Sequence, residues 1–359
     1  MIITSPYDGG MRTRRSAPLV LGLTGLTALV LAGCAPAAPA ARGTGAAAVS
    51  VVASTNVYGS IVEAIGGDRV EVTSLIDSLS QDPHSYEASA RDQLTISRAD
   101  LIVANGGGYD SFVDGLVEAT GTDADVLRAV EFSHDYPDAD HAHAEDDAAH
   151  AEDDAAHDED AAHEDHAEDE ADHDHASGDG HDHIEGFNEH VWYDPHTIAH
   201  LAEDIVHHLT ELDPEGASVY ETGGQELAAG IEDLEARLSD IEAEHAGAQI
   251  FGTEPVPLYL TAAASLVDAA PAAFSEAVEE GQDVPPATLL QAQRIIESGD
   301  VRVLIANAQT GGAETTEVIG WAQAAGIPVL EFTELVPDGQ TYLTWMGDNI
   351  DELAAALAE

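Results

Sequence analysis

Lysine is absent from this chain of 359 residues, and its 11 basic residues are all arginine. They stand against 69 aspartates and glutamates, which gives a formal net charge of −58 at pH 7. A surface of this charge repels nucleic-acid phosphates and anionic lipid headgroups and attracts cations. The composition therefore excludes a nucleic-acid partner and favours a cationic one.

Cysteine is almost absent as well, since Cys34 is the only one. A single cysteine excludes an intrachain disulfide and a metal site built from several thiolates. Cys34 follows a basic segment, Met11–Arg15, and an apolar run, Ser16–Ala32. This order predicts a secretory signal peptide over residues 1–33, with Met11 as an alternative start. Leu-Ala-Gly-Cys at its end resembles a bacterial lipobox, which implies lipid attachment at Cys34.

The alternative interpretation of the apolar run is an uncleaved membrane helix. A membrane-spanning helix needs about 20 apolar residues, and this run is shorter and ends in small residues, so a cleaved signal peptide is favoured. Residues 34–48 are rich in alanine, proline and glycine and are predicted to form a tether.

From Val49 onward, short apolar runs alternate with helical patterns, which predicts an α/β fold with parallel sheets. The predicted order is an N-terminal lobe over 49–212, a linking helix over 213–246 and a C-terminal lobe over 247–359. The linking helix carries apolar residues at three- and four-residue spacing, namely Leu227, Ile231, Leu234, Leu238 and Ile241. We therefore expect two α/β lobes of parallel strands flanked by helices and joined by one long helix.

A tract from His134 to His183 interrupts the first lobe and holds 11 of the 18 histidines. Over 138–183 there are 20 acidic residues and no basic residue, and the heptad AEDDAAH occurs twice in succession from Ala144. After Tyr136 the tract has no apolar residue larger than alanine, so it cannot bury a core. We predict that it is disordered.

Seven histidines lie outside this tract, at positions 84, 190, 196, 200, 207, 208 and 245. His84 lies in Gln81–Glu87, between a predicted strand and a helix, and His190 lies in a loop before Pro195. Ligands of α/β proteins gather in loops at strand ends. Taken alone, each of these two histidines is also consistent with an ordinary surface residue in a loop and need not be a metal ligand.

Together, the motifs Asp-Pro-His-Ser-Tyr-Glu around His84 and His-Val-Trp-Tyr-Asp-Pro from His190, followed by a long helix, resemble a known family. This family is the zinc- and manganese-binding lipoproteins of bacterial metal ABC importers, the cluster A-I solute-binding proteins. The resemblance covers essentially the whole mature chain, including the lipobox and the His/Asp-rich insertion of zinc-type members. It implies a metal site between two similar lobes, a membrane ABC permease as partner, and a lipid-anchored extracytoplasmic location. We expect a monomer.

The resemblance also implies four metal ligands: His84, His190, Glu254 and Glu334. Glu254 stands where zinc-type members usually have histidine and manganese-type members glutamate, and Glu334 stands where the family usually has aspartate. Two neutral imidazoles and two carboxylates balance the charge of a divalent ion. The alternatives are a plain loop charge for Glu254 and a turn cap before Pro337 for Glu334. Four protein ligands leave no obligatory position for an activated water, so we expect no enzyme.

Among the remaining histidines, His196 and His200 stand four residues apart, as in metalloproteases of the HExxH type. The intervening residues include no glutamate base, so a solvated helix face is the better interpretation. His207 and His208 point about 100° apart on a helix and cannot share a site. Asp194 is expected to orient His190 or to brace its loop.

The mixed set of nitrogen and oxygen ligands accepts Zn²⁺, Mn²⁺ or Fe²⁺. The imidazole-dense tract favours zinc, with manganese as the alternative. Two hypotheses of function remain open at this point. One is a zinc receptor that loads an ABC permease, and the other is a zinc buffer or storage protein acting mainly through the tract.

Overall fold

The structure is a computed structural model of the chain, and it describes residues 48–81, 83–137, 184 and 186–358. The predicted signal peptide, Cys34, almost all of the tether, and the histidine-rich tract from residue 138 to residue 183 lie outside the described residues. Within the described ranges, none of the helices is both long enough and apolar enough to span a membrane.

The N-terminal lobe is a sheet of four parallel strands with helices packed against it. The strands are β1 Val49–Thr55, β2 Val70–Ile76, β3 Leu101–Ala104 and β4 Asp125–Arg128, in the order β2-β1-β3-β4. The helices are α1 Asn56–Gly66, α2 Ala90–Ile96, α3 Phe112–Thr120 and α4 Pro195–Leu212. Buried β-branched and aliphatic residues dominate β1 and β3, as expected for the central strands of a covered parallel sheet.

The C-terminal lobe repeats this topology. Its strands are β5 Gln249–Gly252, β6 Val267–Asp268, β7 Val301–Asn307 and β8 Val329–Phe332, in the order β6-β5-β7-β8. Its helices are α6 Leu258–Ala263, α7 Ala272–Glu279, α8 Pro286–Glu297, α9 Ala313–Ala325 and α10 Tyr342–Leu357. Because each lobe has the same parallel strand order, the prediction of two similar α/β lobes is confirmed.

The sequence pattern predicts one helix near Leu258–Asp268 and none directly after it, and the structure of this lobe differs from both expectations. The helix α6 ends at Ala263, because Ser265 adopts a left-handed backbone conformation with φ of 52° that cannot continue a helix. The chain then forms the short strand β6 beside β5, and the unpredicted helix α7 follows.

The linking helix is α5, Ala217–His245, which begins after a 3₁₀ turn over Pro214–Gly216. With 29 residues it is about 43 Å long. It packs on α1 and α4 of the first lobe and on α6 and α10 of the second. All five residues of the predicted apolar stripe are buried. One hydrophobic core runs from the first lobe through α5 into the second, and a smaller core fills the far side of each sheet.

The first residues of the predicted insertion, His134–Pro137, lie in the described part of the chain and form turns. Tyr136 packs edge-on against Phe187, with 5.5 Å between the ring centroids. The chain therefore leaves and re-enters the lobe at neighbouring points.

Gly223 allows α5 to approach the end of α1, and this close contact is testable. A Cβ at this position would lie 2.3 Å from the carbonyl oxygen of Ile65, so Gly223→Ala must push two helices apart. We expect a loss of about 1–3 kcal/mol in the free energy of unfolding. Gly115 in α3 is a matched control, because an added Cβ there meets no atom within 4 Å. Gly115→Ala should instead stabilise the fold by about 0.5–1 kcal/mol.

Urea denaturation of both variants measures these changes. Equal stability of the two variants would contradict the proposed close packing of α5 on α1.

Candidate metal centre

The four predicted ligands lie in loops that follow strands or precede a helix, at the edge where the two lobes face each other. His84 follows β2, and His190 lies just before the 3₁₀ turn that leads into α4. Glu254 follows β5 and Glu334 follows β8. The carboxyl ends of parallel strands meet at one edge of each sheet, so this placement is a consequence of the parallel topology.

Three of the four predicted residues converge. His84, His190 and Glu334 each offer a ligand atom, and these atoms all lie within 4.8 Å of one another. His84 Nε2 lies 3.5 Å from Glu334 Oε2, and the two imidazole centroids are 5.9 Å apart. His190 and Glu334 are fully buried. Imidazole nitrogens and a carboxylate at this spacing can close on one divalent ion.

Glu254 lies beside this group rather than in it. Its carboxylate accepts a hydrogen bond from Asn307 Nδ2 at 2.8 Å and another from Thr310 Oγ1 at 2.7 Å. The same Asn307 Nδ2 donates to Glu334 Oε1 at 2.6 Å. One amide group therefore links the two predicted carboxylate ligands. Because Glu254 is buried and hydrogen-bonded, it is not a solvated loop charge.

Glu334 is held by polar groups from both lobes. Tyr109 donates its hydroxyl to Glu334 Oε2 at 2.9 Å, and the Glu334 backbone N–H donates to Gln309 Oε1 at 2.7 Å. Tyr109 also packs edge-on against the His84 ring, at 5.0 Å. The Glu334 side chain is directed towards His84 and Tyr109, so the alternative role as a turn cap does not describe its contacts.

His190 is oriented by Asn188. The Nδ1 atom of His190 lies 2.8 Å from Asn188 Oδ1, and the backbone N–H of His190 donates to the same oxygen. A donor role for Nδ1 leaves Nε2 as the nitrogen that is able to accept a metal. Asp194 does not orient this ring. It caps α4 by accepting from the backbone of His196 and from the Thr197 hydroxyl, and so it braces the loop.

The sequence did not reveal two further carboxylates. Glu189 Oε1 lies 3.5 Å from His84 Nδ1, and Glu279 Oε1 lies 3.7 Å from His190 Nε2. Together with His84 they form a second group whose ligand atoms all lie within 4.8 Å of one another. Glu279 ends α7, a helix that the sequence did not predict. The position of Glu189 directly before His190 in the sequence is the signal that points to this carboxylate.

The site has a strongly negative electrostatic environment. Burial lowers the pKa of His84, but the carboxylates of Glu334, Glu189 and Glu279 outweigh it and raise this pKa to about 9. Burial raises the pKa of Glu334, but His84 and His190 outweigh it and lower this pKa to about 2. Burial also raises the pKa of Glu254. The metal-free site therefore holds a proton on His84 that a cation can replace.

The four histidines of α4 lie outside both groups. His196 and His200 lie side by side, with 3.3 Å between their Nε2 atoms. His207 Nε2 lies 3.6 Å from Glu211, and His208 Nε2 lies 3.6 Å from Asp204. The pair His196 and His200 carries no glutamate base between its members, so it gives no support to a hydrolase.

Two parallel α/β lobes, a long linking helix and a buried cluster of imidazoles and carboxylates define a bilobed protein with a candidate metal site. Residues 51–356 match the family model described as zinc-uptake complex component A, periplasmic (ZnuA). The chain belongs to this family, that of the substrate-binding proteins of metal ABC transporters.

Several curated relatives carry manganese in their names. The manganese-binding lipoprotein MntA of Halalkalibacterium halodurans is 26% identical, over 54% of this chain and 49% of that protein. The manganese ABC transporter substrate-binding lipoprotein ScaA of Streptococcus gordonii is 24% identical, over 87% of this chain and 89% of that protein. The chain thus aligns with about half the length of the first relative and most of the second.

Solved structures share the fold. A crystal structure of ZnuA has a TM-score of 0.60 at 18% identity and covers 86% of this chain and 99% of its own. The periplasmic zinc-binding protein TroA of Treponema pallidum has a TM-score of 0.63 at 16% identity and covers 87% of this chain and 100% of its own. The predicted family and fold are confirmed. The lipoprotein names of MntA and ScaA agree with the predicted lipid-anchored, extracytoplasmic location, and the matched family is one of solute-binding proteins.

The pKa of His84 generates a prediction about proton release. With a pKa of about 9, His84 is protonated at pH 7 and must lose that proton to bind a metal. Binding of the first metal equivalent at pH 7 should therefore release about one proton. An imidazole of ordinary pKa would release only about a quarter of a proton there. Affinity should rise about tenfold per pH unit from pH 7 and level off above pH 9.

Calorimetric titrations in buffers with different ionisation enthalpies measure the released proton. A binding heat that is the same in all buffers would contradict a protonated His84 in the metal-free protein.

Proposed function

We propose that this protein captures Zn²⁺ outside the cytoplasm and delivers it to a membrane ABC permease for import. The observation that carries the proposal is the convergence of His84, His190 and Glu334 from two lobes on one buried point. Glu254 is the fourth ligand: on metal binding, its carboxylate gives up hydrogen bonds to Asn307 and Thr310 and binds the ion instead. The protein is tethered through a lipid on Cys34 and acts as a monomer.

The donor set supports a divalent transition metal as the substrate. Two neutral imidazoles and the carboxylates of Glu254 and Glu334 cancel the charge of the ion. Raw affinity for mixed nitrogen and oxygen sites favours zinc over manganese. His190, Glu254 and Glu334 are buried and His84 is largely buried, so a bound ion is shielded from competing water.

Manganese is the second candidate substrate. The observation in its favour is the number of carboxylates, because Glu189 and Glu279 lie beside the predicted ligands and manganese accepts oxygen donors readily. The names of the curated relatives agree with this candidate. Metal analysis of the mature protein as isolated, with His190→Ala in parallel, separates the two. Zinc bound one-to-one, and lost in the variant, supports the proposal, whereas manganese in its place supports the second candidate.

Removal of the two imidazoles tests the site itself. Substitution of a residue that only supports a metal ligand lowers metal affinity by about 10–100-fold. The double variant His84→Ala/His190→Ala removes two proposed ligands, so its zinc affinity should fall by more than about 100-fold. His207→Ala is the matched control, since this exposed histidine of α4 contacts Glu211 and not the site. It should bind zinc as the wild type does. Competition with a chelator of known affinity measures both. A tight site that survives the double substitution would refute the assignment.

Deletion of residues 138–183 separates a receptor from a buffer or storage protein. A receptor keeps one tight site after the deletion and loses only weak binding, because the four proposed ligands belong to the two lobes and not to the deleted segment. A buffer loses most of its capacity and is little affected by His190→Ala. Zinc stoichiometry and affinity of the deleted chain decide between the two hypotheses.

A further inference from the structure

We propose a second, outer metal position beside the first, formed by His84 Nδ1, Glu189 and Glu279, through which the ion enters and leaves. This proposal deepens the proposed function and rests on it. The inner position is the one bounded by His84 Nε2, His190 and Glu334. The ligand class of the outer position is a hydrated divalent cation.

The geometry of His84 places one imidazole between the two positions. Its Nε2 faces Glu334 at 3.5 Å, and its Nδ1 faces Glu189 at 3.5 Å. The ligand atoms of His84, Glu189 and Glu279 lie within 4.8 Å of one another, as do those of the inner group. A single ring thus offers a nitrogen to each of two carboxylate-lined positions.

The side chains of the outer position come from three separate elements and both lobes. His84 follows β2, Glu189 precedes the turn into α4, and Glu279 ends α7. Such convergence of a histidine with two carboxylates differs from a run of acidic residues on one surface. One nitrogen and two carboxylates leave coordination sites for water, so the outer position should bind more weakly than the inner one.

Exposure decreases from the outer to the inner position. The side chains of Glu279 and His84 are 15% and 12% exposed, and that of Glu189 is 4% exposed. The side chains of His190 and Glu334 are fully buried. Because solvent reaches the outer residues first, an entering ion meets Glu279 and His84 before it meets His190.

Glu279 borders both positions and provides the route between them. It groups with His84 and Glu189, and its Oε1 also lies 3.7 Å from His190 Nε2. Its carboxylate can therefore hold the ion while His190 replaces Glu189 as a ligand. A neutral imidazole accepts a metal at only one ring nitrogen, because the other carries hydrogen. The two positions are therefore filled in turn, by one ion.

Binding kinetics test the outer position. The double variant Glu189→Gln/Glu279→Gln keeps the shape of both side chains and removes their charge. If the ion passes through the outer position, zinc should both bind to and leave the double variant more slowly than the wild type. Because both rate constants fall together, the zinc affinity changes little. We expect both rate constants to fall on the order of tenfold, with a dissociation constant within about threefold of wild type. Glu276→Gln, an exposed substitution on α7, should leave both rates unchanged.

Stopped-flow tryptophan fluorescence follows zinc binding in the full chain, since the Trp192 ring lies 5.1 Å from the His190 ring. The measurements are made in about 0.5 M NaCl, where long-range steering by charge is screened. Unchanged rates in the double variant would overturn the outer position. A fall in association with unchanged dissociation would do the same, because it indicates simple attraction by charge.

Anomalous diffraction at the zinc edge locates the ion directly. In crystals of full-length His190→Ala grown with zinc, the inner position is damaged and we expect zinc beside His84 Nδ1. The triple variant His190→Ala/Glu189→Gln/Glu279→Gln should lose this peak. No peak beside Nδ1 in His190→Ala overturns the outer position. Wild-type crystals without zinc between His84 and His190 would instead overturn the proposed function, so the two failures are distinguishable.

Discussion

The buried pairing of His84 with Glu334 is the interaction on which the rest of the site depends. It joins the two lobes across 3.5 Å, and it places a fully buried carboxylate where no water can solvate it. Such a charge is costly to bury unless it is paired and hydrogen-bonded. Tyr109, Asn307 and His84 supply these partners, and each then acquires a fixed position. The order of the site in the metal-free protein follows from the need to compensate one carboxylate.

The repeated topology explains why the proposed ligands meet. Each lobe uses the same parallel strand order, so each presents the carboxyl ends of its strands at one edge. The helix α5 and the continuous core hold the two lobes together away from the site, while the proposed ligands themselves lie in loops. Loops tolerate changes of ligand more readily than strands do, because few packed neighbours depend on them. One scaffold can therefore serve different metals.

Much of this arrangement could be predicted from the sequence, but only where local pattern determines structure. The alternation of strands and helices predicted the two lobes, and the spacing of apolar residues predicted α5. The motifs around His84 and His190 identified the loops that form the candidate metal site. Glu279 was missed because α7 buries only Phe274, Ser275 and Val278 and shows no long apolar period. The hydrogen bonds of Glu254 depend on Asn307 and Thr310, which are more than 50 residues away and are brought near only by folding.

The contact between Tyr136 and Phe187 has a consequence for how such a chain changes over evolution. Because the two ends of the insertion are held together by the lobe itself, the length of chain between them is nearly free to vary. Each doubling of a loop costs only about 0.6 kcal/mol in closure entropy. Heptads can therefore be duplicated or lost between Tyr136 and Phe187 without strain on the sheet. Short repeats can accumulate at this place in the chain.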